Sequence, residues 1–159
     1  MKKDKIVLLK IISEIEQELQ RLDEFQLEID SIKDKKDIIS RRAKGSILHD
    51  FYNLCERIFK KIAVEINQGY NDTATWPKSL LYKMTIPLRG IRPPVISEEL
   101  AAELDEYLAF RHLFRNIYGF ELKSDRIDRL AEKFEVVKKR FSEEIEKFLD
   151  YLKQEYKKA

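Results

Sequence analysis

From Ser124 onward, apolar residues return every three or four positions: Ile127, Leu130, Phe134, Val137, Phe141, Ile145, Phe148 and Leu152. This spacing keeps one face of a single helix apolar for about seven turns. A helix so long and so one-sided is not stable alone in water, and it folds only where other helices cover the stripe. Two further stretches offer matching faces. Ile12, Ile15, Leu19, Leu22, Ile29 and Ile32 recur at near-heptad spacing and predict a first helix from about Lys3 into the low thirties. Ile47, Phe51, Leu54, Cys55, Ile58, Ile62 and Ile66 predict a second, ending at Gln68-Gly69, with a turn at Lys35 to Asp37 between them. Two long helices joined by so short a connection run antiparallel.

Shorter elements fill the middle of the chain. Trp76-Pro77 predicts a short helix over Pro77 to Met84, with Leu80, Leu81 and Met84 on its apolar face. Pro87, Gly90, Pro93 and Pro94 make the next stretch irregular, until Ser97 caps a helix that runs out at Gly119. Glu98 and Glu99 then lie beside the positive end of its dipole. The expected fold is all-α, an antiparallel helical bundle of about five helices, with residues 1–159 as a single domain. With only four glycines and four prolines beside 43% apolar and 38% charged residues, the composition argues against a sheet and against disorder.

A net charge of +2 is too small to make the whole molecule a polyanion binder, so nucleic-acid contact has to come from local patches. Lys33 to Lys44 holds six basic residues against two acidic ones, whereas Glu14 to Asp30 holds seven acidic residues against Arg21. Only the first could lie against phosphate. The acidic stretch reads as a solvated face. Arg89 and Arg92 on the proline-rich loop read either as an RNA-facing lip or as part of a simple connection. A single cysteine, Cys55, excludes an internal disulfide and reads as core. His49 and His112, the only histidines, belong to no metal-ligand pattern, so neither metal nor cofactor is expected. The N-terminal apolar run is broken by acidic residues before a signal peptide or a membrane span could form, so a cytoplasmic protein without membrane attachment is expected.

The fourth helix carries the functional candidate, RHLFRNIYGFEL, at Arg111 to Leu122. At about 100° per residue, Leu100, Leu104, Tyr107, Arg111, Phe114 and Tyr118 share one stripe, with Leu108 and Arg115 on its margin. Arg111 thus lies on the inward face, where a guanidinium needs either an acidic partner such as Glu56 or Asp50, or a wet functional cleft. On the second helix His49, Asp50, Tyr52, Asn53 and Glu56 lie largely away from the main apolar stripe, with His49 and Glu56 nearly superposed. They read as part of an active cleft or dimer surface, or as a hydrogen-bonded polar face.

Arg111, four residues, Asn116, one residue and Tyr118 resembles the Arg-x4-His-x-Tyr signature of HepT-like toxins, the HEPN-type helical ribonucleases. ILHDFYNLCERIFKKIA at Ile47 to Ala63, WPKSLLYKM at Trp76 to Met84 and RPPVISEEL at Arg92 to Leu100 resemble the same family. The resemblance implies a HEPN-like bundle and a metal-independent RNA endonuclease. It also implies the toxin of a type VII-like toxin–antitoxin system, a homodimer held inactive by a nucleotidyltransferase antitoxin that adds AMP to Tyr118. Cleavage of RNA needs a base for the 2′-hydroxyl proton and a cation for the phosphate charge. Arg111 suits the second task, with Arg115 as a further phosphate contact and His112, His49 and Glu56 as RNA-binding or supporting residues. The resemblance gives the base to position 116, where Asn116 can position a hydroxyl but cannot deprotonate it. His112 points about 100° away from Arg111 on a regular helix, which argues against a simple swap. Two readings stay open: a nuclease with an unusual site, and a catalytically silent HEPN-type module that binds RNA or the nucleotidyltransferase. A helical interaction protein with Arg111 as a mere buried ion-pair residue is a third.

Overall fold

The computed structural model of the chain describes residues 4–66, 76–116 and 124–159. Among these residues there are five helices and no strands: α1 Lys5–Ile32, α2 Ile38–Glu65, α3 Trp76–Lys83, α4 Glu98–Asn116 and α5 Ser124–Lys158. The all-α fold and the five helices agree with the apolar spacing. The expected stops at Gln68-Gly69 and Gly119 lie outside the described residues.

Helices α1, α2 and α4 begin where a polar side chain replaces missing backbone partners. Asp4 Oδ1 accepts from the Ile6 amide at 2.8 Å to start α1. Asp37 accepts from the Ser40 amide at 3.1 Å and the Ser40 hydroxyl at 2.7 Å to start α2. These two bonds hold the Asp37 carboxyl below its ordinary range. Ser97 Oγ accepts from the Leu100 amide at 3.1 Å to start α4, and Ser97 in turn bonds to Glu144 on α5.

Helix α2 is the hub, packing on all four of the others, while α1 also packs on α5. That is why its buried set extends beyond one stripe to Leu48, Tyr52 and Phe59. The Tyr52 ring, expected off the apolar face, is fully buried. Phe51 anchors the centre, edge-on to Phe134 at 5.0 Å, to Tyr107 at 5.3 Å and to Phe141 at 6.1 Å. All eight residues of the α5 stripe from Ile127 to Leu152 are buried. Tyr107 ties α4 to α5 by donating its hydroxyl to the Leu130 carbonyl at 2.8 Å. Gly45 lets α4 come close to α2, since a Cβ there would stand 2.9 Å from Phe114 Cε2.

Three surface expectations change. Arg92 is not on an exposed lip: it is buried and donates to the carbonyls of Ile86, Pro93 and Lys83, holding the turn around Gly90 (φ +74°) closed; Arg89 is exposed. The basic stretch from Lys33 to Lys44 is partly consumed inside the protein. Lys44 is fully buried, and with Lys36 and Arg41 it surrounds Asp128 of α5 at 3.1, 3.3 and 3.6 Å. The acidic side of α1 is not solvated throughout, because Glu18 forms a two-pronged pair with Arg57 at 3.1 and 2.9 Å and Asp23 meets Lys138 at 3.1 Å. None of the described helices is long and apolar enough to cross a membrane.

Candidate functional site

The site forms where one stripe of α2 meets one stripe of α4. His49, Asn53, Glu56 and Lys60 follow at intervals of four, three and four residues, so they stack along one side of α2; Arg111 and Arg115 stack likewise on α4. The two helices pack against each other, which brings the two stripes together.

Arg111 is only 4% exposed. Its Nη2 donates to Glu56 Oε2 at 2.7 Å and its Nη1 to Asn53 Oδ1 at 3.0 Å. The guanidinium carbon lies 4.9 Å from the centre of the Tyr52 ring, a cation–π approach. Burial drives the Tyr52 phenol far above its ordinary pKa, with the Cys55 thiol and the Glu56 charge adding to it, so Tyr52 stays a neutral platform under the cation. Lys60 stands 3.7 Å from the other Glu56 oxygen. The guanidinium is therefore fixed in plane and in rotation, which one carboxylate alone would not achieve.

Arg115 is exposed, and its Nη2 donates to the same Asn53 Oδ1 at 3.1 Å while its Nε donates to His49 Nε2 at 3.0 Å. Two guanidinium groups thus share one amide oxygen. This settles the orientation of Asn53, whose Nδ2 then faces His49. It also settles the tautomer of His49: a nitrogen that accepts from a guanidinium carries no proton, so the ring hydrogen sits on Nδ1, 3.4 Å from Asp50 Oδ1. The 3.3 Å approach of Asn53 Nδ2 to His49 Nδ1 is then a contact between two donors, not a bond. Phe114 lies against the imidazole, ring centres 5.4 Å apart.

An open hollow of about 670 Å³ lies beside this cluster, between α3 and α4, with Lys78, Leu108, Arg111, His112 and Arg115 among its walls. Arg111 and Arg115 are shared by hollow and cluster, and His112 lines the hollow. Of the residues singled out in the sequence, Arg111, Arg115, His49 and Glu56 come together. Asn116 is the last residue of α4, and its side chain, like the whole of Tyr118, lies outside the described residues. Asn53, which joins the two arginines, was visible only as one member of a polar face; its place four after His49 and three before Glu56 was the available signal. Among the described residues no three His, Cys, Asp or Glu side chains gather as a metal site. Cys55 is buried, and burial raises its thiol pKa well above the ordinary value, which leaves it unreactive.

The arrangement gathers more cationic than anionic side chains, although Asp105 also lines the hollow beside Lys78. Arg111 and Lys60 share the Glu56 carboxylate, Asp50 faces His49, and the Arg115 guanidinium is exposed at the edge of the hollow with no carboxylate of its own among these residues. A phosphate oxygen could replace Asn53 or His49 as a partner of Arg115 without disturbing Arg111. A family model described as HepT-like protein matches residues 43–152, a span that contains every residue of this cluster. Comparison with curated proteins and with solved structures gave no match.

Proposed function

The chain belongs to the HepT-like family, and on that premise we propose that it is a HEPN-type toxin that cleaves RNA without a metal. The observation that carries this reading is the pinned Arg111 guanidinium beside the exposed Arg115, both bonded to Asn53 Oδ1. In such a seat Arg115 draws in a phosphodiester, and Arg111, already oriented by Glu56, stabilises the charge that grows on the phosphate in the transition state. Preorientation matters because a guanidinium that has to be turned during the reaction stabilises charge less. The resemblance extends the proposal to a cytoplasmic homodimer and to a nucleotidyltransferase antitoxin that modifies Tyr118. A nucleotide on that tyrosine, seven residues after Arg111, adds bulk and negative charge that repel an RNA phosphate.

The second reading, a silent module that binds RNA or the nucleotidyltransferase, rests on Asn116, an amide where the family motif has its histidine. Induced expression in a host without the antitoxin separates the two. The nuclease reading expects growth arrest with the natural chain and none with Arg111→Ala, with total RNA fragmenting only in the first culture. No arrest from the natural chain, together with arrest from Asn116→His, would establish the silent module.

A further inference from the structure

We infer that His49, on α2 and outside the Arg111 to Tyr118 motif, is the proton acceptor of the RNA cleavage proposed above. The inference rests on that reading and supplies the group that Asn116 cannot.

Glu56 is held by Arg111 at 2.7 Å and by Lys60 at 3.7 Å, so its oxygens serve the cation. Tyr52 and Cys55 are fully buried. Asp50 is half exposed but faces the imidazole Nδ1. His49 alone among these presents a nitrogen lone pair at the phosphate seat, since its Nε2 meets Arg115 Nε at 3.0 Å. Its orientation is held from two sides, by Asp50 at Nδ1 and by the Phe114 ring at 5.4 Å. A carboxylate on one imidazole nitrogen and an accepting lone pair on the other is the arrangement a general base requires.

In the empty site Arg115 covers that lone pair. When a phosphodiester arrives, Arg115 turns to its non-bridging oxygens, a stronger partner than a neutral imidazole, and Nε2 is uncovered beside the bound nucleotide. The 2′-hydroxyl proton then passes to His49 Nε2, and the 2′-oxygen forms a bond to phosphorus as the bond from phosphorus to the 5′-oxygen breaks. The departing 5′-oxygen keeps that electron pair and takes a proton from water. The hydroxide left behind is neutralised by the proton that His49 gives up. The products are a 2′,3′-cyclic phosphate and a 5′-hydroxyl, so no external nucleophile is consumed. The substrate class that follows is a flexible single-stranded RNA phosphodiester, whose 2′-oxygen can swing in line with the leaving group.

The test uses purified full-length chain, total RNA as the probe and EDTA in the buffer, with cyclic phosphate ends counted. His49→Gln keeps a hydrogen-bonding side chain, and its fold is checked by circular dichroism and melting. The expected result is a fall of roughly 100-fold or more in cleavage rate, with recovery of at least tenfold in the double variant His49→Gln, Asn116→His. Cleavage by His49→Gln within about threefold of the natural chain overturns the assignment while the nuclease reading stands. A loss that Asn116→His does not relieve marks His49 as structural and also overturns it. Cleavage by Asn116→His alone, with a silent natural chain, leaves the arginine seat valid and removes His49 as a base. If neither the natural chain nor Asn116→His cleaves, the nuclease reading falls and this assignment falls with it.

Discussion

Lys44 and Arg111 are two buried cations on or against α2, each paired with one carboxylate, yet the protein uses them differently. Lys44 spends its three donors on the Lys33 carbonyl at 3.0 Å, the Lys35 carbonyl at 2.7 Å and Asp128 Oδ1 at 3.1 Å. Two of those partners are the backbone that ends α1, so the ammonium works as a cap and a tie between the α1–α2 turn and α5. Arg92 follows the same pattern with its three carbonyls. Arg111 instead bonds side chains only, on a neighbouring helix, and shares its acceptor with a second, exposed guanidinium. A buried cation satisfied by carbonyls holds the chain in place. One held by side chains of a neighbouring helix keeps a fixed orientation beside Arg115, the exposed guanidinium that shares its acceptor.

The largest expected effect is that of Arg111→Lys. It keeps the charge but loses the planar fork, so we expect RNA cleavage to fall about 100-fold or more, with a melting temperature close to that of the natural chain. An unchanged rate would put Arg111 in the same class as Lys44. The mirror experiment is Lys44→Met. It takes the ammonium donor from the Lys33 and Lys35 carbonyls and leaves Asp128 to Lys36 and Arg41 alone, and urea unfolding should show a loss of about 2 kcal/mol, while activity per folded molecule stays level.

A smaller effect comes from pH. Burial pushes the Asp128 carboxyl upward, but the hydrogen bonds and charges of Lys44 and Lys36 outweigh it and leave it below its ordinary value of 3.8. A depressed carboxyl stabilises the fold fully above the unfolded value and loses that contribution as pH falls through the folded one. The gap between the urea midpoints of the natural chain and Asp128→Asn should therefore be constant near neutrality and close only below about pH 4. A gap that closes at higher pH would contradict the assignment of Asp128 as the lysines' partner. The mildest change is Gly45→Ala. Its methyl meets Phe114 at 2.9 Å and displaces the ring that packs on His49, which should cost about 1–2 kcal/mol. Cleavage should weaken in the folded fraction as the imidazole loses that support; a full rate would free the His49 geometry from Phe114.

The elements themselves were legible in the sequence. The three-and-four spacing of Ile127 to Leu152, the turn at Lys35 to Asp37, the cap at Ser97 and the pattern Leu80, Leu81, Met84 are local, and each appears in the structure as a helix, its start or the break between two. Half of the candidate site was legible too, because an arginine on an apolar stripe signals a partner before the partner is known, and Glu56 is that partner. Exposure was not legible. Tyr52, Arg92 and Lys44 are polar enough to be read as surface, and all three are buried.

What the chain determined by itself was therefore its helices, their inward faces and the need of Arg111 for company, since these follow from side chains a few residues apart on one backbone. Only the tertiary structure decided which cation met backbone carbonyls and which met the side chains of a neighbouring helix. Lys44 reaches Asp128 across 84 positions and Arg115 reaches His49 across 66. No periodicity within one helix can encode which stripe of α2 will face α4; that is set when the five helices close on each other and groups such as Lys44 and Arg111 take the partners that packing leaves within about 3 Å.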